Sequence, residues 1–381
     1  MKTYQTEAVL GSIITQADAV QFRGIDPYDF ASSNLKLPKA LLPKVSFMNK
    51  VSPVNFRPFL GIKPSENSKS NALFMHAMVN ADYKAYQKQV EYLFNWFKNN
   101  RSKEFEEFSV GFAFEMTLSR YQSGPGKTSL IITLFTLYAF IEYYQQSGNR
   151  EALEAILSFE SLLDKHWLKY ETDNELWYSY LPTQKDEVYN ATAKVGRFYA
   201  LLYGIQKEQR YADKVRKMLT YLARVQNADG TWGYSTKAAY VDNFHTAFVL
   251  ESIFEMNKVS PSPAAEKMFR DGLATYEAHC FEGNRALHFH KAHQPKDIRS
   301  NILRTEIRDA ANAIILFSKL GKREKAAGIL DWAMQHFYHE RKKHFYFFDN
   351  RLFKSRINFI RWQSWMALAI SEYLKTDHEK N

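Results

Sequence analysis

From about residue 66 onward, apolar positions recur at three- and four-residue spacing in long segments divided by short polar breaks. That is the pattern of helices, and strand-like alternation is scarce. Five segments share one plan, a polar start running into an apolar helix rich in small residues. They are KTSLIITLFTLYAF from Lys127, VYNATAKVGRFYALL from Val188, VDNFHTAFVLESIF from Val241, EIRDAANAIILFSKL from Glu306 and NFIRWQSWMALAISEYL from Asn358. The first four are each followed by a more amphipathic helix: REALEAILSFESLLDKHW, QRYADKVRKMLTYLARVQ, AAEKMFRDGLATYEAHCF and KREKAAGILDWAMQHFY. An apolar helix followed by an amphipathic one, repeated, predicts a two-layer array with the first helix covered and the second facing water. With an earlier pair near residues 70 to 99, the count approaches six. The expected fold class is therefore all-α, a closed (α/α)6 toroid of helical hairpins. It spans residues 66–381, with residues 1–65 as an N-terminal extension packed on it in one structural unit.

Closure gives the polar helix starts a purpose. In a ring, the inner helices present one set of ends to a central cavity, and their N-termini carry partial positive charge that suits carboxylates or phosphates. The stretch YVDNFHTAF places Asp242, Asn243 and His245 at such a start, where capping accounts for one polar residue rather than three. Asn190, Glu306, Arg308, Asp309, Arg361 and Gln363 occupy corresponding positions.

Composition narrows the partner. Hydrophobic residues at 45% and aromatic residues at 15% describe a folded chain, and the surplus of tyrosine and phenylalanine is mostly core. The formal charge of +10 favours an anionic partner. The basic residues are scattered, with only short clusters such as Arg341 to Lys343, so no nucleic-acid partner is expected. No apolar window is long enough to span a bilayer, and the opening MKTYQTEAVLGSIITQADAVQF is a poor secretory signal. A single cysteine, Cys280, fits a core thiol in a reducing, cytoplasmic compartment. HFHKAH, with His288, His290 and His293, lacks accompanying ligands and reads as a surface loop, so no metal is expected. GPGKTS, Gly124 to Ser129, lacks the first glycine of a phosphate loop and reads as a turn entering a helix. No cofactor is implied.

The segment QNADGTWGYSTKAAYVDNFHTAFVLESI, residues 226 to 253, resembles a bacterial family of polysaccharide biosynthesis proteins encoded with capsule and exopolysaccharide genes. That family carries a QN-DG-W segment followed by DNFHT. FRGIDPYDFASSNL resembles its G-DPYD-LNS, VNFRPFLGI its N-R-LLGI, VYNATAK its HVYNAS-L, and INFIRWQSWMALAISEYL its closing RW-QAWM-ALA. The resemblance implies an (α/α)6 toroid akin to uronate epimerases, polysaccharide lyases and glycosidases, acting in exopolysaccharide or O-antigen biosynthesis. The chain departs from the family at VGFAFEMTLSR, where Glu115 takes the acidic position, and at EIRDAANAI, where Arg308 replaces a histidine.

For a glycosidase, two carboxylates must flank the bond, and Asp26, Glu115, Asp242, Glu306 and Asp309 are available. For a uronate lyase or epimerase, a base such as His245 or a tyrosine removes a proton beside the sugar carboxylate while Arg308, Arg361 or an amide stabilises the developing charge. The expected catalytic set is Asp242, His245, Glu306 and Arg308. Asp26, Asp29, Glu115, Asn190, Trp232, Asn243, Asp309, Arg361 and Gln363 are expected to bind substrate, an acidic oligosaccharide or polysaccharide, free or lipid-linked. The competing readings are a non-catalytic carbohydrate-binding or assembly protein, in which these residues cap helices and cross-link the ring, and an isoprenoid-handling toroid. The latter would lack the usual DDxxD motif.

Overall fold

The structure is a computed structural model describing residues 3–35, 37–38, 41–117, 122–183, 186–296, 302, 304–349 and 354–378. The chain divides into two compact units, Met1–Ile156 with Thr305–Asn381, and Leu157–Arg304.

The first unit holds α1 (Thr3–Ala19), α2 (Leu42–Val51), α3 (Ser68–Asp82), α4 (Gln87–Asn99), α5 (Leu130–Ser147), α11 (Ile307–Lys319), α12 (Arg323–Phe337) and α13 (Ile360–His378). α6 (Arg150–His166) starts in it and ends in the second unit. α3, α5, α11 and α13 are buried along most of their length, whereas α4 buries one face through Val90, Leu93, Phe94 and Phe97. α3 packs between α5 and α13, α13 lies between α3 and α11, and α1 covers α13. Phe140 of α5 gathers Phe94, Phe97 and Phe108 at ring distances of 4.9, 5.8 and 5.4 Å. Such clusters absorb much of the aromatic surplus into the core.

Helix starts follow from capping chemistry. Asn67 and Ser129 accept the Ser70 and Ile132 amides at α3 and α5. Glu306 and Asp309 form a reciprocal capping box at α11. Two-stranded pairs fill the connections: β1 (Met116–Thr117) with β2 (Gln122–Ser123), and, later in the chain, β7 (Thr305–Glu306) with β10 (Phe348–Asp349) and β8 (Tyr338–His339) with β9 (His344–Phe345).

The second unit carries β3 (Leu168–Glu171) paired with β4 (Leu176–Tyr178), α7 (Tyr189–Gln206), α8 (Gln209–Arg224), α9 (Asn243–Val259), α10 (Pro263–His279), and β5 (Phe281–Glu282) paired with β6 (Arg285–Ala286). α7 packs on α8 and α9, and α9 on α10. α7 and α9 are buried on most sides, whereas α8 buries one stripe, including Tyr211, Val215, Met218 and Leu222. The alternation of covered and half-exposed helices read from sequence is thus present in each unit. Among the described residues, no helix is long and apolar enough to cross a membrane.

The QNADGTW turn joins α8 to α10. Gln226 Nε2 donates to the Gly230 and Met268 carbonyls at 2.9 Å each, and Gly230 sits at φ +84°. A β-carbon there would lie 2.6 Å from the Asp271 carbonyl oxygen. Gly230→Ala is therefore expected to lower stability by about 2 kcal/mol, from left-handed strain plus a backbone clash, read as a shift in the urea midpoint. An unchanged midpoint would show that this turn is not under strain.

Candidate functional site

In the second unit the site begins at the N-terminus of α9. Asp242 is the cap, and its Oδ1 accepts the His245 amide at 2.7 Å. The same carboxylate faces the His245 ring, with Nδ1 2.7 Å from Oδ2 and 2.9 Å from Oδ1. The three-residue spacing makes this possible, since the third residue of a helix stands over its cap. Burial by itself would raise the Asp242 carboxyl, but the His245 ring, its hydrogen bonds and nearby His288 outweigh it and hold the group at about 2. Asp242 is 7% exposed and the His245 side chain 27%. With Nδ1 facing the carboxylate, Nε2 is the nitrogen left for proton transfer. Tyr234 and Phe244 meet the ring edge-on at 4.9 and 5.1 Å, and Tyr240 stacks on Tyr234 at 5.5 Å. The strand-like contact of Asp242 with Phe289, with Asn243 N donating to His288 O, fixes the segment before the helix.

In the first unit, carboxylates and cations interlock. Glu306, without exposed surface, meets Lys50 Nζ at 2.8 Å and Arg308 Nε at 2.6 Å. Asp26 receives Arg361 Nε at 2.6 Å and the Asn67 amide, and its Oδ1 accepts the Tyr28 amide. Arg57 Nε reaches both oxygens of Asp29 at 2.9 Å, and Arg57 Nη2 donates to the Asp26 carbonyl. Lys50 and Arg361 both lie 5.2 Å from the Tyr28 ring, and Arg308 lies 5.6 Å from the Trp362 ring. Burial would discharge Lys50, but Glu306 and Tyr28 more than offset it and keep the ammonium charged. Burial pushes the Asp29 carboxyl up to about 6 against the pull of Arg57. Across the cluster the four cations Lys50, Arg57, Arg308 and Arg361 stand with the four carboxylates of Asp26, Asp29, Glu306 and Asp309. Arg361 Nη2 is buried without a hydrogen-bond partner. The cluster is therefore balanced in formal charge and keeps one spare charged donor.

The other expected residues fall into different settings. Asn243 is fully buried, its Nδ2 donating to Cys280 O and its Oδ1 accepting Tyr276 Oη, so its amide fastens α9 to α10. Trp232 is buried, donates Nε1 to Leu222 O at 3.0 Å and lies over Gly272. Gln363 binds the Phe345 backbone through both ends of its amide at 2.8 Å. Asp309 Oδ2 accepts the Glu306 amide. Glu115 is exposed, beside Gly124. Asn190 is buried at the start of α7 with Nδ2 unpartnered. His293 pairs with Asp229 at 2.5 Å and His290 stacks on His279 at 4.7 Å, yet among the described residues no three potential ligands stand where one metal ion could be held.

Sequence reasoning missed Lys50, Arg57 and Asn67 in the first unit, and Tyr234 and Tyr240 beside His245. Arg57 lies inside VNFRPFLGI, and the two tyrosines lie just ahead of DNFHT, so proximity to motifs was the available signal. Lys50 had none.

No family model matches the chain, and no curated protein matches it. Solved structures do. A cellobiose 2-epimerase from Bacillus thermoamylovorans superposes with a TM-score of 0.61 at 12% identity, over 81% of this chain and 88% of that one. A sugar epimerase from a ruminal bacterium gives 0.59 at 13% identity, over 82% and 90%. An α-1,6-mannanase from a Salegentibacter species gives 0.59 at 10% identity, over 82% and 91%. The chain has the (α/α)6 toroid fold. At these identities the likeness carries the fold alone.

Proposed function

We propose that this protein is a carbohydrate-active enzyme of exopolysaccharide or O-antigen biosynthesis that moves a proton at the carbon beside the carboxylate of a uronate-containing saccharide. The Asp242–His245 contact carries the reading. Asp242 orients the imidazole and stabilises its protonated form, and His245 Nε2 takes the proton as the C–H bond breaks. The electron pair then moves toward the carboxylate. Return of a proton to the opposite face gives epimerisation, and departure of the neighbouring glycosidic oxygen gives elimination. The formal charge of +10 supports an acidic rather than a neutral sugar. The pathway rests on the DPYD and DNFHT resemblance, and the structural neighbours, two sugar epimerases and a mannanase, agree with carbohydrate chemistry.

Hydrolysis is the second reading, and one observation favours it: Asp29, near 6, has the protonation behaviour of a general acid. Against it, Asp29 is 3% exposed and clamped by the Arg57 fork, and the other buried carboxylates of its unit are engaged by cations or caps. The test is incubation with glucuronate-containing oligosaccharides in D2O, followed by NMR. Deuterium at the carbon bearing the carboxylate is the expected result. An unsaturated uronate at the new chain end would show the elimination branch, new reducing ends with neither deuterium nor unsaturation would establish hydrolysis instead, and no change would leave a binding or assembly protein.

A further inference from the structure

A cavity of about 360 Å³ opens in the first unit between the C-terminal half of α1, the β8–β9 hairpin and the start of α13. Its size is at the lower end of small-molecule sites. Ile13, Ala17, Val20 and Ile360 give it an apolar wall, and Arg23 and Lys343 bring two cations. Among the described residues no carboxylate lines it, and Asp18 at the end of α1 is held by Gln89 Nε2 at 2.9 Å.

Three further observations mark it as more than a crevice. His344, 6% exposed, lines it, and its buried Nε2 has no hydrogen-bond partner. Burial lowers the imidazole's proton affinity, and its ring hydrogen-bonds the Lys342 backbone, so Nε2 is an unpaired acceptor suited to a hydroxyl. Secondly, both cations are delivered by strained backbone. Gln21 and Phe22, at φ +52° and +56°, turn the chain into Arg23, and Lys343 itself sits at φ +54°. Each such residue without glycine costs about 1 kcal/mol, and strain of this kind collects where a side chain must be aimed. Thirdly, the walls are tied together: Gln16 Nε2 donates to the Lys343 carbonyl at 3.0 Å, and Gln363 clamps the Phe345 backbone behind it. The expected substrate-binding residue Gln363 thus lies in the lining of this cavity.

We propose that the cavity is a binding site for a monosaccharide unit carrying one anionic group. The carboxylate or phosphate lies between Arg23 and Lys343, the apolar face of the ring rests on Val20 and Ile360, and a hydroxyl donates to His344 Nε2. The inference does not require the Asp242–His245 chemistry.

The experiment is titration of the full chain with glucuronate, glucose 6-phosphate and glucose, in wild type and in Arg23→Gln with Lys343→Gln. Both altered side chains are exposed, and circular dichroism checks that the variant is folded. Both anions are expected to bind saturably and glucose not to, with affinity at least about tenfold weaker in the double variant. Tighter glucuronate binding assigns a carboxylate ligand, and tighter glucose 6-phosphate binding assigns a phosphate. Absence of saturable binding by either anion overturns the inference. Binding that is indifferent to the double variant but lost in Arg308→Ala also overturns it, while leaving the proposed function standing.

Discussion

Asp242→Asn is expected to leave the protein folded and to slow proton exchange by about 10³- to 10⁴-fold, as measured by deuterium incorporation from D2O. Asparagine is as good a helix cap as aspartate, so its side-chain oxygen can still accept the His245 amide that Asp242 now accepts at 2.7 Å. It cannot supply negative charge to the imidazole, and turning its NH2 toward Nδ1 would force the proton onto Nε2, where the base must be free. His245→Gln, which removes the titrating group, is expected to abolish exchange. A rate for Asp242→Asn within threefold of wild type would mean that the carboxylate is a cap only.

The same carboxylate makes a pH signature. Its folded value of about 2 lies below the ordinary 3.8, so it contributes stability above pH 4 that is lost as pH falls from about 4 to about 2. The difference amounts to about 2 kcal/mol in wild type. Asp242→Asn should flatten that part of the acid-unfolding curve, a readout independent of any substrate.

The hairpins were legible because burial on all sides and burial on one side leave different apolar patterns, and α5 and α8 show that contrast plainly. The Asp242–His245 contact was legible because its partners are three residues apart and fall together at a helix start. The first unit's cluster was not. Asp26 meets Arg361 across 335 residues and Lys50 meets Glu306 across 256, and neither spacing leaves a periodic trace. Motif residues also divide in a way that sequence cannot divide them. Within DNFHT, Asp242 and His245 face each other at the partly exposed start of α9, while Asn243 between them is a core fastener. Trp232, the aromatic residue singled out as a sugar contact, is held by Leu222 and Gly272 instead. Helical phase decides the first case, since Asn243 opens α9 on the side facing α10, where Tyr276 and the Cys280 carbonyl await it, whereas Trp232 lies in the turn after α8.

Glu306→Ala is expected to destabilise the protein by about 3–5 kcal/mol, the largest effect of any single substitution in the polar clusters. The side chain has no exposed surface and is the shared counter-charge of Lys50 and Arg308. Removing it strands two cations. Lys50, fully enclosed, would have to give up its proton or open the α2 contact, and Arg308, which cannot discharge, would have to turn away from α11. The loss also breaks half of the α11 capping box, worth about 1 kcal/mol alone. Lys50→Met should cost less, because Glu306 keeps Arg308, and the double variant Glu306→Leu with Lys50→Met should recover part of the loss by replacing buried charge with apolar volume. Urea midpoints of Glu306→Leu, Lys50→Met and their double variant give the coupling directly. A Glu306→Ala cost below about 1 kcal/mol would mean that water already screens the pair, and Glu306 would then become eligible to act on a substrate itself. A large coupling fixes it instead as the buried counter-charge of Lys50, a structural carboxylate that is not free to react.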